Sequence, residues 1–307
     1  MRILLTNNHL RELRGSETAT YCLAVALRRA GNDVRIATTE TGIVTARLEN
    51  EGFKVTTKLK DWTGIKFDVA HVHHNTLAVS VRKNFPKLPI VYLSHGPAHP
   101  LEKPPKDITI VDRYLGVSEE VCAMLKTHDI KESFVLRNSV GCSLFAPTKP
   151  INEKLENVMV LSSHFGECYN IVKEACIKIG VKDLRLVGLD NLVWNIEDKI
   201  NRADLIISLG RGVVESMACG RAVLVFDYHG GDGMITEKSY HEIKKNNFSG
   251  RRFAIRYNIS RLATQLKSYN QSMGEVNRSL ALQYHSIDKQ VKDLENHYFE
   301  AILKRRN

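Results

Sequence analysis

Cysteine is scarce and scattered, with six residues (Cys22, Cys122, Cys142, Cys168, Cys176 and Cys219) and no CxxC pair. This excludes a zinc ribbon and gives no support to a disulfide framework. No apolar run approaches the roughly 20 residues that a membrane-spanning helix requires. The opening Met1–Thr6 reads as a strand rather than a signal peptide, so the expected setting is cytoplasmic with reduced thiols. Aromatic residues make up 7% of the chain and do not interleave with its basic clusters, unlike the grooves that bind single-stranded nucleic acid. Acidic residues are the minority sign: 34 Asp and Glu stand against 44 Lys and Arg, a net charge of +10. A surplus of that size favours anionic partners, here nucleotide diphosphates, nucleic acid or peripheral contact with an anionic membrane.

What is present is alternation. Short apolar runs at Ile3–Thr6, Val34–Thr38, Lys54–Thr57, Val69–Val72, Ile90–Ser94, Tyr114–Val117 and Phe134–Arg137 alternate with amphipathic segments. This is the pattern of a parallel sheet covered by helices on both faces. The clearest helix is predicted over Ser16–Ala30, with Ser16 as its cap, Ala19, Leu23, Ala26 and Leu27 as its apolar stripe and Gly31 as its stop. Pro147 and Pro150 mark a linker, and the alternation restarts at Val158–Ser162, with a helix over Gly166–Ile179 and strands at Leu184–Val187, Leu205–Ser208 and Ala222–Phe226. After Ile259 the pattern is helical, ending in one long stretch through Tyr284, Ile287, Val291, Leu294, Tyr298 and Leu303. The fold class is therefore α/β, with two Rossmann-like domains. The expected divisions are a first domain over 1–150, a second over 151–285 and a terminal helix over 286–307.

The densest information lies in Ser208-Leu-Gly-Arg-Gly-Val-Val-Glu-Ser-Met-Ala-Cys-Gly-Arg-Ala-Val-Leu-Val225. A strand end, the turn glycines Gly210 and Gly212, and a short helix from Val213 place Glu215 in a first helical turn. Its carboxylate can there accept from a ribose diol, while the neighbouring amides and Arg211 face phosphates. An equally economical role for Glu215 is to complement the helix dipole. The loop Asn7–Gly15 joins a first strand to a first helix, at the sheet edge where open α/β folds bind ligands. Its Gly15, Ser16 and Glu17 are candidate ligand contacts. Asp68–His74 holds three histidines, with His71 and His73 on one side of the strand and His74 on the other, which is not the spacing of a metal triad. His95, in Ser94-His-Gly96, follows an apolar strand directly, so it lies at the same sheet edge. Ser118, Glu119 and Glu120 read as a helix cap.

Glu215-Ser-Met-Ala-Cys-Gly-Arg-Ala-Val223, followed by Asp227-Tyr-His-Gly-Gly-Asp232, resembles the donor-site segment of GT-B glycosyltransferases, especially the retaining GT4-like family. Further landmarks occur in the family's order: Arg14-Gly-Ser-Glu-Thr-Ala-Thr20, Asp68-Val-Ala-His-Val-His-His74, Ser94-His-Gly96, Gly116-Val-Ser-Glu-Glu120 and Arg137-Asn-Ser-Val-Gly141. Together they cover most of the chain. The resemblance implies two domains facing a cleft and a last helix that crosses back to the first. It implies transfer of a sugar from a nucleotide diphosphate sugar with retention, without a metal or other cofactor. His95 would then be the catalytic residue that contacts the transferred sugar, and Glu215 would hold the donor ribose. Arg211, Gly210, Gly212, Ser163, His164, Gly230 and Gly231 would surround the donor diphosphate. Gly15, Ser16, Glu17, His73, His74 and Asn138 would line the acceptor side, where the acceptor is a glycan, a lipid-linked sugar or a nucleic acid.

The chain departs from the family at two places. Where many retaining members carry an Arg and a Lys after the first strand of the second domain, it has Ser162-Ser-His-Phe-Gly-Glu-Cys168. Eight residues before Glu215, where a first glutamate contacts the sugar, it has Ile207. These departures favour a competing reading, a non-catalytic nucleotide-sugar-binding subunit on the same shell. A sugar-nucleotide epimerase would need a carboxylate base facing the sugar, and none is evident.

Overall fold

The computed structural model describes residues 1–306 apart from 163–165, 167, 189–192 and 229. Among these, twelve strands and eleven α-helices divide between two units, Met1–Arg137 with Ile287–Asn307, and Asn138–Ser286.

In the first unit, β1 (Arg2–His9), β2 (Asp33–Glu40), β3 (Lys54–Thr56), β4 (Val69–His73), β5 (Ile90–Ser94), β6 (Arg113–Gly116) and β7 (Ser133–Val135) form one sheet in the order β3-β2-β1-β4-β5-β6-β7. Every neighbouring pair is parallel. All residues of β4 and β5 are buried, the signature of strands covered on both faces. The covering helices are α1 (Gly15–Arg29), α2 (Ile43–Asn50), α3 (Asn75–Asn84) and α4 (Glu119–Lys126). Helix α4 has the expected cap, with Ser118 Oγ accepting from the Val121 N–H at 3.3 Å. Helix α1 does not: it starts at Gly15 with Arg14 at its N-cap and no side-chain cap bond. Ser16 Oγ donates instead to Glu17 Oε2 at 2.7 Å. Gly31, at φ +87°, supplies the expected stop.

The apolar stretch through Tyr284 and Leu303 belongs to two helices, the second of them starting one residue after the expected 286. His285 ends α10 (Ser272–Tyr284), because its buried ring has Nδ1 2.7 Å from the Asn138 carbonyl and Nε2 2.9 Å from the Tyr240 hydroxyl. The chain then re-forms as α11 (Ile287–Arg306). Ile287, Val291, Leu294, Tyr298 and Ala301 of α11 are buried in the first unit. Arg113 Nε donates to His297 Nδ1 at 2.8 Å, and Asn32 Nδ2 donates to Glu295 Oε1 at 2.9 Å.

The division between the units falls at Arg137/Asn138, ahead of the prolines that mark the linker in the sequence. The intervening residues are bonded into the second unit: Arg278 donates to the carbonyls of Cys142 and Phe145 at 3.0 and 2.7 Å, and the Thr148 N–H donates to Asn201 Oδ1 at 3.1 Å. In that unit β8 (Asn157–Leu161), β9 (Asp183–Val187), β10 (Leu205–Ser208), β11 (Ala222–Asp227) and β12 (Gly230–Met234) run in the order β12-β11-β10-β8-β9. Its remaining helices are α5 (Cys168–Ile179), α6 (Ile196–Ile200), α7 (Arg211–Ala218), α8 (Glu237–Ile243) and α9 (Ile259–Lys267). One face of the sheet packs Ile206, Val223 and Val225 against α7, and the other packs Leu205, Ile207 and Leu224 against α5 and α9.

Strand β12 is antiparallel to β11 and is not anticipated from its glycine-rich sequence. Gly231 makes it possible, exchanging bonds with Ile255 (N–H to O at 2.9 Å, and O from N–H at 2.7 Å) beneath the Tyr257 ring. A Cβ added to Gly231 would lie 2.6 Å from Tyr257 Cε2 and 2.8 Å from the Val225 carbonyl. Gly231→Ala is therefore expected to destabilise the unit by about 1–3 kcal/mol, the usual cost of overpacking. Equal urea midpoints for variant and wild type would contradict this.

Candidate functional site

Open α/β sheets bind ligands outside the carboxyl ends of their strands, where the strand order reverses. Each unit has one such point. In the first it lies between β1 and β4, and there the structure collects an unusual set of imidazoles.

His71 and His73 follow the alternation of β4 onto one face, with ring centroids 4.9 Å apart. Both rings are fully buried. Burial, with the neighbouring His95 adding to it, pushes His71 down to about 3 and His73 well below the ordinary histidine range. Tyr298 of α11 places its hydroxyl 3.0 Å from His71 Nδ1. His95, just past β5 and half-buried, has Nε2 2.7 Å from His73 Nδ1. His74 caps α3 with φ +72°, a conformation that costs a non-glycine residue of order 1–3 kcal/mol. Its Nδ1 accepts from the Asn8 N–H at 3.3 Å, so its proton sits on Nε2, 3.3 Å from Glu102 Oε1. The other oxygen of Glu102 accepts from the His95 N–H at 2.6 Å. Burial alone would raise the Glu102 carboxyl, but the bonds from His74 and from the His95 backbone, with the nearby imidazoles, hold it below the usual range.

The structure thus brings His73, His74 and His95 together. Gly15, Ser16 and Glu17 lie at the adjoining start of α1, tied to β1 by Asn7 Nδ2, which donates to the Ser16 carbonyl at 3.2 Å and to Thr20 Oγ1 at 2.8 Å. A Cβ at Gly15 would meet nothing within 4 Å, so the backbone there is open to approach, and Glu17 is buried. Glu102 and Tyr298 are the residues that sequence reasoning missed. Glu102 sits in a 3-10 turn, Pro100–Glu102, with no motif around it, and Tyr298 reads as one more apolar residue of a helix stripe.

In the second unit the order reverses between β8 and β10. Their ends are tied by Ser208 Oγ, which donates to the Leu161 carbonyl at 2.6 Å. Gly210, at φ +55°, caps α7, a conformation that favours glycine. The helix begins at Arg211, two residues earlier than the sequence suggests, so Glu215 falls in its second turn. Glu215 is buried, with Oε1 2.8 Å from Arg211 Nε, and burial pushes its carboxyl above the usual range against the pull of that guanidinium. Arg211 is also buried: its guanidinium turns inward and donates to the Ser139 carbonyl at 2.9 Å. Gly212 packs against Ser208 and Leu161 with no room for a Cβ. Asn138 donates to Asn247 Oδ1 at 2.9 Å, and the Gly210 N–H donates to the Phe248 carbonyl at 3.0 Å, which brings Asn247–Phe248 to the same end of the unit. Gly230 and Gly231 belong to β12. Ser163 and His164 lie outside the described residues.

No family model matches the chain, and no curated protein does. Solved structures do match. HepE of Anabaena in complex with UDP-glucose is similar at TM-score 0.68 and 13% identity, over 97% of this chain and 100% of that one. The chain has the GT-B fold. Other GT-B structures that it resembles include an α-glucosyltransferase in complex with UDP and a 13-mer DNA containing an HMU base (TM-score 0.59, 12% identity, 97% and 99% covered). A UDP-GlcNAc 2-epimerase from Neisseria meningitidis bound to UDP-GlcNAc is also similar (TM-score 0.58, 14% identity, 99% and 100% covered). Among the described residues no helix of the GT-B chain is long and apolar enough to cross a membrane.

Proposed function

We propose that the protein is a glycosyltransferase, GT4-like in its motifs, that moves a sugar from a nucleotide diphosphate sugar to an acceptor with retention and without an obligatory metal. The observation that carries this reading is the whole-chain likeness in fold to proteins holding UDP or a UDP-sugar. It is supported by Glu215 on the helix that starts at the switch point of the second sheet. In this reading Glu215 accepts from the donor ribose, and the amides at the start of α7 lie toward the diphosphate. His95 hydrogen-bonds a hydroxyl of the transferred sugar, and positioning and charge stabilisation supply the catalysis. The net charge of +10 favours an acidic acceptor, whether a phosphorylated lipid-linked sugar, an acidic glycan or a nucleic acid, or contact with an anionic membrane surface.

A second reading, a nucleotide-sugar-binding subunit without chemistry, is favoured by Ile207. That residue is fully buried in β10 on the face opposite α7, so the place of a sugar-contacting glutamate is taken by the core.

The test is a thermal-shift series with UDP, GDP, ADP, CMP and their common sugar conjugates on wild type and Glu215→Gln, which keeps the side-chain volume beside Arg211. One nucleotide family at 100 times its Kd should stabilise the wild type by about 2.7 kcal/mol and raise its midpoint. The variant should respond less. No response of the wild type to any of these ligands would overturn both readings. A response without sugar release from the donor would select the second.

A further inference from the structure

We propose that His73 is a positioning residue that fixes the tautomer of His95, so that His95 carries its proton on Nδ1 and acts as a hydrogen-bond donor from that atom. The relevance of this to sugar transfer rests on the reading of His95 given above.

Nε2 of His95 and Nδ1 of His73 lie 2.7 Å apart, so one of the two must donate and the other accept. The remaining nitrogen of His73, Nε2, is buried and has no partner among the described residues. If His73 carried its proton there, a buried N–H would be orphaned. If it carries the proton on Nδ1, only a lone pair is left without a partner, and buried orphan N–H groups are the rarer of the two. His73 therefore donates from Nδ1, His95 Nε2 accepts, and the proton of neutral His95 is placed on Nδ1.

The surroundings hold the two rings in place. His73 is fully buried between His71 on its own strand and His95 beyond β5, and its imidazole is held neutral there. The His95 backbone is pinned by Glu102, which also engages His74, and Tyr298 holds His71 from the far side. The ring of His95 is thus fixed at its backbone and at Nε2. Its chemistry is directed through Nδ1 by a residue that need not touch a substrate.

The test reads the tautomer directly and needs no substrate. Long-range 1H–15N correlation spectra of 15N-histidine-labelled protein at pH 8 are expected to show His95 as a single Nδ1–H species, with His73 also protonated on Nδ1. In His73→Leu, which removes the donor, the His95 pattern should change to Nε2–H or a mixture of tautomers. In His73→Asn, whose amide can donate from nearly the same place, the Nδ1–H pattern should be retained. A wild-type spectrum with His95 protonated on Nε2 overturns the proposal even if neither variant folds. So does an unchanged Nδ1–H pattern in His73→Leu. Because the nucleotide thermal shift is measured separately, a fixed tautomer without donor binding would sink the glycosyltransferase reading and leave the positioning role standing.

Discussion

Lowering the pH from 7.5 to 5.0 is expected to remove about 2 kcal/mol of stability from the first unit through His71, with His73 adding to the loss in the same direction. His71 and His73 are buried as neutral rings, the first held at about 3 and the second well below the ordinary range. In the unfolded chain both titrate near 6.5. A depressed folded value means that the native state resists the proton that the unfolded state accepts. The stability is therefore fully present above about pH 6.5 and is lost progressively as the pH falls toward 3. Half-buried His297, which burial also pushes down, adds to the loss in the same direction. Glu102 does not contribute in this window, because its carboxyl is held below the usual carboxylate range and is lost only in stronger acid. Urea unfolding of wild type and His71→Phe at the two pH values checks this. The variant should lose about 2 kcal/mol less than the wild type between pH 7.5 and 5.0, and a wild-type midpoint that does not move would contradict the linkage.

Asp204→Ala is expected to cost about 4 kcal/mol, within the range for removing one partner from a buried charged network. Asp204 directly precedes β10 and is nearly fully buried. Its Oδ2 accepts from the N–H groups of Glu156 and Asn157 at 3.1 and 2.8 Å and from the side-chain amides of Asn152 and Asn157 at 3.2 and 3.0 Å. Oδ1 accepts from the Asn152 N–H at 2.9 Å. Truncation leaves three backbone donors at the entrance to β8 without their acceptor. It also removes a carboxylate whose field favours the charged form of buried Arg221. A shift of the urea midpoint at unchanged m-value is the expected signature. Glu153→Ala, in the exposed part of the same segment, should stay within about 0.5 kcal/mol of wild type.

Asp204 illustrates what a sequence conceals. Apolar runs announce parallel strands because burial on both faces leaves no polar positions, so the first sheet and the core strands of the second were legible from composition and period alone. A carboxylate that gathers five donors looks, in one dimension, like any Asp before a strand. The same holds for the site. His73, His74 and His95 were visible because they follow apolar strands, and the carboxyl ends of strands are where such folds bind ligands. Glu102 was not, since its role depends on a turn that returns it to His74 and His95. Nor was the inward turn of Arg211, because an arginine at a helix start looks ready for phosphate until Ser139 and Glu215 are seen around it. The antiparallel β12 was hidden because its glycines signal a turn, and only the Tyr257 ring over Gly231 explains why they form a strand.

The polypeptide leaves the first unit at Arg137 and re-enters it at Ile287, so the second unit is threaded into the first as an insertion. Tyr298, whose hydroxyl meets His71, is translated 227 positions after it. During synthesis the usual order of domain maturation is therefore reversed: the later-encoded unit has all its own residues before the earlier one has its last helix. The histidine-lined end of the first sheet acquires its α11 wall only after the whole second unit has been translated. A ribosome stalled within that helix would present a finished second unit attached to a first unit with an uncovered sheet face.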